Sequence, residues 1–243
     1  MTTKEWFGEW FDSPYYHQLY KHRDYREAEN FITNLVDFLN PKSDDMIIDL
    51  ACGKGRHSIF LNKLGYNVLG LDLSKKSIEY ASDFSSDTLA FDVHDMREPL
   101  PVTNVDIVVN LFTSFGYFDD KRVNEEVLQQ VYNGLKPEGL FIIDFMNVHH
   151  VLANLVPEEE KELDGLIFQI KRFVEDDFIV KQINFMDAGV PYSFHEKVRV
   201  LKEDDFDTFF ERTDFTLLHK FGDYQLRPFN KEASPRFIAV VKK

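Results

Sequence analysis

Residues 46–58 read Met-Ile-Ile-Asp-Leu-Ala-Cys-Gly-Lys-Gly-Arg-His-Ser, and no other stretch restricts the fold of this chain as tightly. A short apolar run, 47–50, carries an acid, Asp49. A Gly-x-Gly turn follows at Gly53 and Gly55, and residues 56–64 then suit a helix. Glycine has no Cβ and accepts positive φ, so such a turn lets backbone approach a ligand closely. Ligands of open α/β sheets bind past the carboxyl ends of the strands. The segment therefore predicts a nucleotide-like cofactor at one edge of a sheet.

The surrounding pattern agrees. Residues 67–71 read as a second strand ending at Asp72, and Ser74 is placed to cap a helix running to Phe84. Residues 88–91 form a weak third strand. Residues 106–110 form a fourth, apolar enough to be covered on both faces. Val123, Val127, Leu128, Val131 and Leu135 make a helical stripe, 135–139 reads as a turn, and 140–145 is a fifth strand. Strands alternating with helices predict parallel βαβ units in a doubly wound sheet.

After about residue 160 the helical period disappears. Glu158-Glu159-Glu160 reads as a break in regular structure. Segments 165–174, 178–187 and 193–202 then read as an antiparallel meander, turned at Asp176-Asp177 and Gly189-Val190-Pro191. A last helix over 203–211 and a closing hairpin from 215–220 and 237–242 complete the chain. Upstream, residues 4–25 hold Trp6, Phe7, Trp10, Phe11, Tyr15, Tyr16, Tyr20 and Tyr25. A helix with apolar residues at helical spacing follows over 26–39 and stops at Asn40-Pro41.

Composition narrows the partners. With net charge −14 and basic residues scattered rather than clustered, a nucleic-acid partner is not expected. Cys52 is the single cysteine, so neither an intrachain disulfide nor a cysteine-rich metal site is expected. The first residues lack the apolar core of a secretory signal, and no apolar run approaches the ~20 residues of a membrane span. A soluble cytoplasmic protein with no membrane partner is the expectation.

Three acids, Asp49, Asp72 and Asp95, fall at or just past predicted strand ends, on the sheet edge that carries the glycine turn. A carboxylate can accept from both hydroxyls of a ribose, which suits Asp72. Asp95 can accept from an exocyclic adenine amine, and Met96 can pack on the base. The phosphate-binding alternatives fail on their own terms. A dinucleotide fingerprint requires a third glycine where Ser58 stands, and no acid ahead of the turn. A P-loop requires Gly-x-x-x-x-Gly-Lys-Ser/Thr, but Lys54 is followed by Gly55, and Ile48 occupies the first glycine position. A cofactor with a cationic centre and no phosphate suits an acid-rimmed turn.

Asp49-Leu-Ala-Cys-Gly-Lys-Gly55, Gly70-Leu-Asp-Leu-Ser74, Asp95-Met-Arg97, Val105-Asp-Ile-Val-Val-Asn-Leu111 and Leu135-Lys-Pro-Glu-Gly139 resemble, in order, the motifs of class I S-adenosylmethionine-dependent methyltransferases. The resemblance covers roughly residues 20–145 and the closing hairpin. Glu138 departs from it, standing where the family usually has a second glycine. Asp95-Met-Arg97, Asn110-Leu-Phe-Thr-Ser-Phe-Gly-Tyr-Phe118 and Tyr16-His-Gln-Leu-Tyr20 are further similar to nucleotide-aminosugar N,N-dimethyltransferases. Those enzymes and glycine N-methyltransferase also carry antiparallel strands after the fifth strand. The resemblance implies a doubly wound, mostly parallel seven-stranded sheet of the Rossmann-like methyltransferase fold, with an antiparallel β insertion. It implies three parts: an aromatic N-terminal lid at 1–25, a cofactor domain at 26–155 and 203–243, and an insertion at 156–202. The insertion is expected to act as a lid or as the contact of a homodimer.

The same resemblance places the methionine part of S-adenosyl-L-methionine against Asp49, Ala51, Gly53 and Gly55. It places ribose on Asp72, adenine near Leu73, Asp95 and Met96, and the backbone of Asn110 and Leu111 under the sulfonium. It assigns Tyr20 and Arg23, with Arg26 as the alternative, to the methionine carboxylate. The implied reaction is methyl transfer to a small-molecule acceptor by in-line displacement, at an amine nitrogen. O-methylation of a small acid or hydroxyl compound, or cofactor binding without turnover, are the alternatives. An acceptor that must shed a proton benefits from a base. His149 and His150, just past the fifth strand, are the candidates, with His17 and the nearby Tyr16 in the aromatic N-terminus. Tyr15, Tyr16 and Trp10 can cage a cation or a sugar. Tyr117 and Phe118 are expected to flank the acceptor, with Tyr192, Tyr224 and Arg227 as further contacts. Cys52, beside Asp49, reads as a packing residue.

Overall fold

The computed structural model describes residues 6–20 and 25–243. Among them a seven-stranded sheet forms the centre. Its strands are β1 (Met46–Leu50), β2 (Asn67–Asp72), β3 (Leu89–Val93), β4 (Val105–Asn110), β5 (Leu135–Met146), β10 (Thr216–Phe221) and β11 (Arg236–Lys242). They stand in the order β10-β11-β5-β4-β1-β2-β3. All are parallel except β11, which runs antiparallel to both neighbours. The strand order reverses at β1 and β4, so the two strand ends carrying the glycine turn and Asn110 lie side by side, where a crevice opens in folds of this kind.

Alternation along the strands builds two cores. Ile47, Val68, Ile107, Val109, Ile142 and Val240 point to one face, where Phe31, Ile32 and Leu35 of helix α3 (Tyr25–Leu39) and Leu61 of α4 (Arg56–Lys63) cover them. Ile48, Leu50, Leu71, Val108, Phe141 and Ile143 point to the other. There α6 (Lys121–Gly134) supplies Val127, Leu128 and Val131, and α8 (Glu203–Arg212) supplies Phe206, Phe209 and Phe210. Asn40, in the left-handed region at φ 48°, donates its N–H to Val36 O (2.8 Å) and ends α3 before Pro41. Ser74 caps α5 (Lys75–Ser82), accepting from Ser77 N–H at 3.0 Å.

Two expectations are corrected. The turn at 135–139 is built into the start of β5: Leu135 pairs with Val105 and Leu140 with Ile107, and the residues between loop out. Glu138 sits there at φ 66°, the conformation a glycine takes most easily. The acidic run Glu158-Glu159-Glu160 is not a break. It opens β6 (Glu158–Leu163), the edge strand of a second sheet ordered β6-β7-β8-β9, with β7 (Leu166–Glu175), β8 (Phe178–Asp187) and β9 (Val190–Arg199). Charge on an edge strand discourages pairing with other chains. Each hairpin of this sheet turns through two residues of positive φ, Asp164-Gly165, Asp176-Asp177 and Ala188-Gly189, the geometry that matches strand twist.

The N-terminal segment holds α1 (Trp6–Trp10) and α2 (Pro14–Leu19), packed against the second sheet. Trp10 and Leu19 share a core with Phe168, Ile170, Ile183 and Phe185. No helix of the described residues is long and apolar enough to cross a membrane.

One packing detail ties the sheet to the glycine turn. The Phe91 ring of β3 fills the space over two glycines. A Cβ on Gly70 would stand 2.4 Å from Phe91 Cδ1, and one on Gly55 would stand 2.6 Å from Phe91 Cε1. A Cβ on Gly70 would also stand 3.0 Å from Cys52 Sγ. Gly70→Ala is therefore expected to cost about 1–3 kcal/mol, the range for overpacking, read as a lower midpoint in urea. An unchanged midpoint would show that the ring moves aside freely.

Candidate functional site

The carboxyl ends of the parallel strands, the N-terminal segment and the second sheet enclose one cleft of about 960 Å³. That lies at the upper end of the roughly 300–1,000 Å³ of small-molecule sites, enough for a cofactor together with a small acceptor.

On the side of β1 and β2 the wall is Ala51, Cys52, Gly53 and Lys54. Ala51 (φ 64°) and Gly53 (φ 56°) are both left-handed, and the space where a Gly53 Cβ would stand is open. The Asp72 carboxylate faces the cleft and is held by two backbone donors, Gly53 N–H to Oδ2 and Ser74 N–H to Oδ1, each at 2.8 Å. A carboxylate has about four acceptor positions, so the remaining lone pairs are available to a diol. Burial raises the Asp72 pKa above its ordinary value, against the pull of those two N–H groups.

Asp49 is fully buried and does not reach the cleft surface. Its carboxylate accepts from Ser58 Oγ at 2.6 Å, tying β1 to the first turn of α4. Burial pushes its pKa up to about 6, opposed by the Ser58 hydrogen bond and aided by the Asp72 charge. Gly55 (φ 77°) precedes α4 and is likewise not on the cleft wall. Ser58, which cost the sequence its third dinucleotide glycine, thus serves as the partner of Asp49.

Leu73, Asp95 and Met96 line the cleft beyond Asp72. Asp95 is engaged by Arg97, whose Nε and Nη2 approach its two oxygens at 2.9 and 2.5 Å. Burial alone would raise the Asp95 pKa, but Arg97 holds it below the ordinary carboxylate value. At the end of β4, Leu111 lines the cleft. Asn110 is buried behind it, donating from Nδ2 to Leu50 O (2.9 Å) and Ser114 O (3.2 Å). Asn110 thus laces the wall after β4 to the end of β1.

Tyr16, His17 and Tyr20 reach the cleft from the N-terminal segment, and Tyr117 and Phe118 reach it from beyond β4. Burial, with the nearby Lys54 charge, lowers the His17 pKa to about 4, so its imidazole is neutral near pH 7. Arg23 lies outside the described residues, and Arg26 is not on the cleft wall. Tyr192, Tyr224 and Arg227 are not on that wall either. His149 and His150 are not brought to the cleft. They sit in α7 (Val148–Ala153), whose start is fixed by Asn147 accepting from His149 N–H and donating to Lys231 O and Ser234 O. Cys52 faces the cleft, but burial first and then Asp49 and Asp72 push its thiol pKa well up, so it stays protonated.

The structure adds groups that sequence spacing did not single out. Lys181 and Glu196, register partners on β8 and β9, line the cleft with Arg172 of β7. Glu196 accepts from Trp10 Nε1 (2.8 Å) and from Tyr20 Oη (2.6 Å), and Lys181 Nζ contacts both Tyr20 Oη and Glu196. On the opposite side, Arg236 of β11 reaches the cleft wall while paired to Asp144 of β5. No local pattern marks any of these five; long-range pairing alone brings them together.

Comparison with known proteins shows the family and the fold. The Bacillus subtilis (strain 168) protein YqeM is 38% identical over 101 residues, spanning 40% of this chain and 41% of YqeM. An S-adenosylmethionine-dependent methyltransferase from Clostridium acetobutylicum shares the fold with a TM-score of 0.79 at 23% identity, over 94% of this chain and 95% of that one. The sugar N-methyltransferase KedS8 from Streptoalloteichus superposes with a TM-score of 0.72 at 18% identity, over 93% and 92% of the two chains. A family model described as Methyltransferase domain matches residues 41–213, and the chain belongs to that family, the S-adenosylmethionine-dependent methyltransferases of Rossmann-like fold.

Proposed function

We propose that this protein transfers the methyl group of S-adenosyl-L-methionine to the amine nitrogen of a small molecule. The observation that carries the amine reading is the aromatic make-up of the cleft wall. Trp6, Phe11, Tyr16 and Tyr117 line it, with ring centroids 5.0–5.7 Å apart from Phe11 to Tyr16 and Tyr117 and from Trp6 to Tyr117, and the Glu196 carboxylate, paired with Lys181, lines the same cleft. Aromatic faces with a carboxylate attract a cation, which an amine is near neutral pH. The likeness to KedS8, a sugar N-methyltransferase, supports the same reading.

The cofactor supplies an activated methyl on sulfur. The chain's own residues bind, orient and exclude water. Asp72 and the Gly53 turn fix the donor end, and Leu111 closes the wall beside it. Alignment of this kind can lower a barrier by about 7–11 kcal/mol. An ammonium acceptor must lose a proton before its lone pair can attack. His17, neutral near pH 7 and on the cleft wall, is a group able to take one.

Release of S-adenosylhomocysteine on incubation with a panel of primary and secondary amines is the expected result. Turnover confined to carboxylic acids or phenols would overturn the nitrogen assignment, and cofactor binding with no turnover on any panel would leave a non-catalytic binder.

A further inference from the structure

Immediately after β4 the backbone takes two successive left-handed residues that are not glycine, Phe112 (φ 60°) and Thr113 (φ 62°). Side chains disfavour that region, and such residues persist only where the surroundings over-determine them, which happens mostly at functional sites. Here the restraint comes from one buried pair. Asp144 is fully buried on β5, and its Oδ2 accepts from Phe112 N–H at 2.8 Å. The Asp144 backbone carbonyl accepts from Thr113 N–H at 2.9 Å. Arg236 Nε donates to Asp144 Oδ1 (2.8 Å), and Nη2 donates to Thr113 Oγ1 (2.9 Å).

From the far side, Tyr117 Oη donates to Thr113 O at 2.6 Å. The Phe112 ring is gripped as well, stacked on Tyr224 (5.1 Å) and set against His57 (4.9 Å) at the start of α4. Phe112, Thr113 and Arg236 all line the cleft. The turn is therefore part of the cleft wall, and its position is dictated from behind.

We propose that Asp144 and Arg236 are a positioning pair, whose task is to hold the strained Phe112-Thr113 turn where the cofactor meets the cleft wall. The inference rests on the cofactor reading above. A buried ion pair is weak evidence of stabilisation for its own sake, and this one spends its hydrogen bonds on the turn. Arg236→Lys keeps a cation for Asp144 and removes the fork that reaches Thr113. Thr113→Val leaves the buried pair intact and removes the hydroxyl it holds.

The test is calorimetric titration of S-adenosylhomocysteine into the full chain, the two single variants and the double variant, well below their melting temperatures. Each single change is expected to weaken binding about tenfold, and the double change no more than either single, because both delete one shared contact. Affinities within about twofold of the unaltered protein, with only a lower melting temperature, would overturn the proposal and leave a purely structural pair. Effects that multiply to roughly a hundredfold in the double variant would overturn it too. If Arg236→Lys fails to fold, Thr113→Val alone decides, by the same tenfold criterion. A native chain that does not bind S-adenosylhomocysteine at all would bring down the cofactor reading and this inference with it, a result distinct from binding that the variants leave unchanged.

Discussion

Asp72→Ala is expected to weaken S-adenosylhomocysteine binding by roughly a hundredfold or more while the chain stays folded. The Asp72 carboxylate enters the cleft at the end of β2 with two acceptor positions taken by Gly53 and Ser74 N–H groups. Its other lone pairs remain to accept from the ribose diol under the proposed binding mode. A hydrogen bond to a charged group contributes about 1.5–3 kcal/mol, so two give roughly 3–6 kcal/mol, and every 1.4 kcal/mol is tenfold in affinity. The substitution also frees the Gly53 N–H and loosens the turn, which adds to the loss. Asp72→Asn, which keeps one carbonyl acceptor, is expected to fall between the two. Calorimetry measures the affinity, and thermal melting followed by circular dichroism checks the fold. Unchanged affinity would remove Asp72 from the cofactor site.

The second large effect concerns pH and Asp49. Its pKa in the folded chain is about 6, against an ordinary 3.8, because burial disfavours the charge. A carboxyl group raised on folding contributes stability that is fully present below about pH 4 and is lost as pH rises through 6. The difference of about two pKa units corresponds to about 3 kcal/mol. Relative to Asp49→Asn, the ligand-free protein is thus expected to lose up to about 3 kcal/mol between pH 4 and pH 8, measured as the difference in urea unfolding free energy. A cationic cofactor favours the ionised form, so affinity for S-adenosylmethionine is expected to drop about tenfold from pH 7.5 to pH 5. It should stay level over that range in Asp49→Asn, after allowance for the ligand's own titration. Parallel curves for the two proteins would show that Asp49 is not the titrating group.

The part of the molecule visible in its sequence is the part written by local chemistry. The strands β1, β2, β4 and β5 are built on apolar runs, and Ser74 stands where an N-cap must. The antiparallel sheet was legible in three of its four strands. Strand β6 was not, because Glu-Glu-Glu-Lys-Glu-Leu reads as a solvated acidic run, and only pairing with β7 makes it a strand. The Asp164-Gly165 dipeptide, a two-residue hairpin signal, was the clue.

In the site, Asp72, Leu73, Asp95 and Met96 follow strands in order, and order is written in sequence. Glu196 and Lys181 are distant along the chain from the Tyr20 they contact, as Asp144 and Arg236 are from the Phe112-Thr113 turn, and nothing local in Ser234-Pro-Arg236 announces a cleft-wall arginine. His149 and His150 illustrate the converse. They follow β5 closely, as a sheet-edge residue should, yet Asn147 starts α7 there, and neither ring reaches the cleft wall.

Titration of the intact protein with S-adenosylhomocysteine, and separately with NAD, is the most direct test of the cofactor cradle on which the account depends. Saturable binding of S-adenosylhomocysteine at one molecule per chain, with no heat from NAD, is the predicted result. Micromolar NAD affinity with no S-adenosylhomocysteine binding would contradict it.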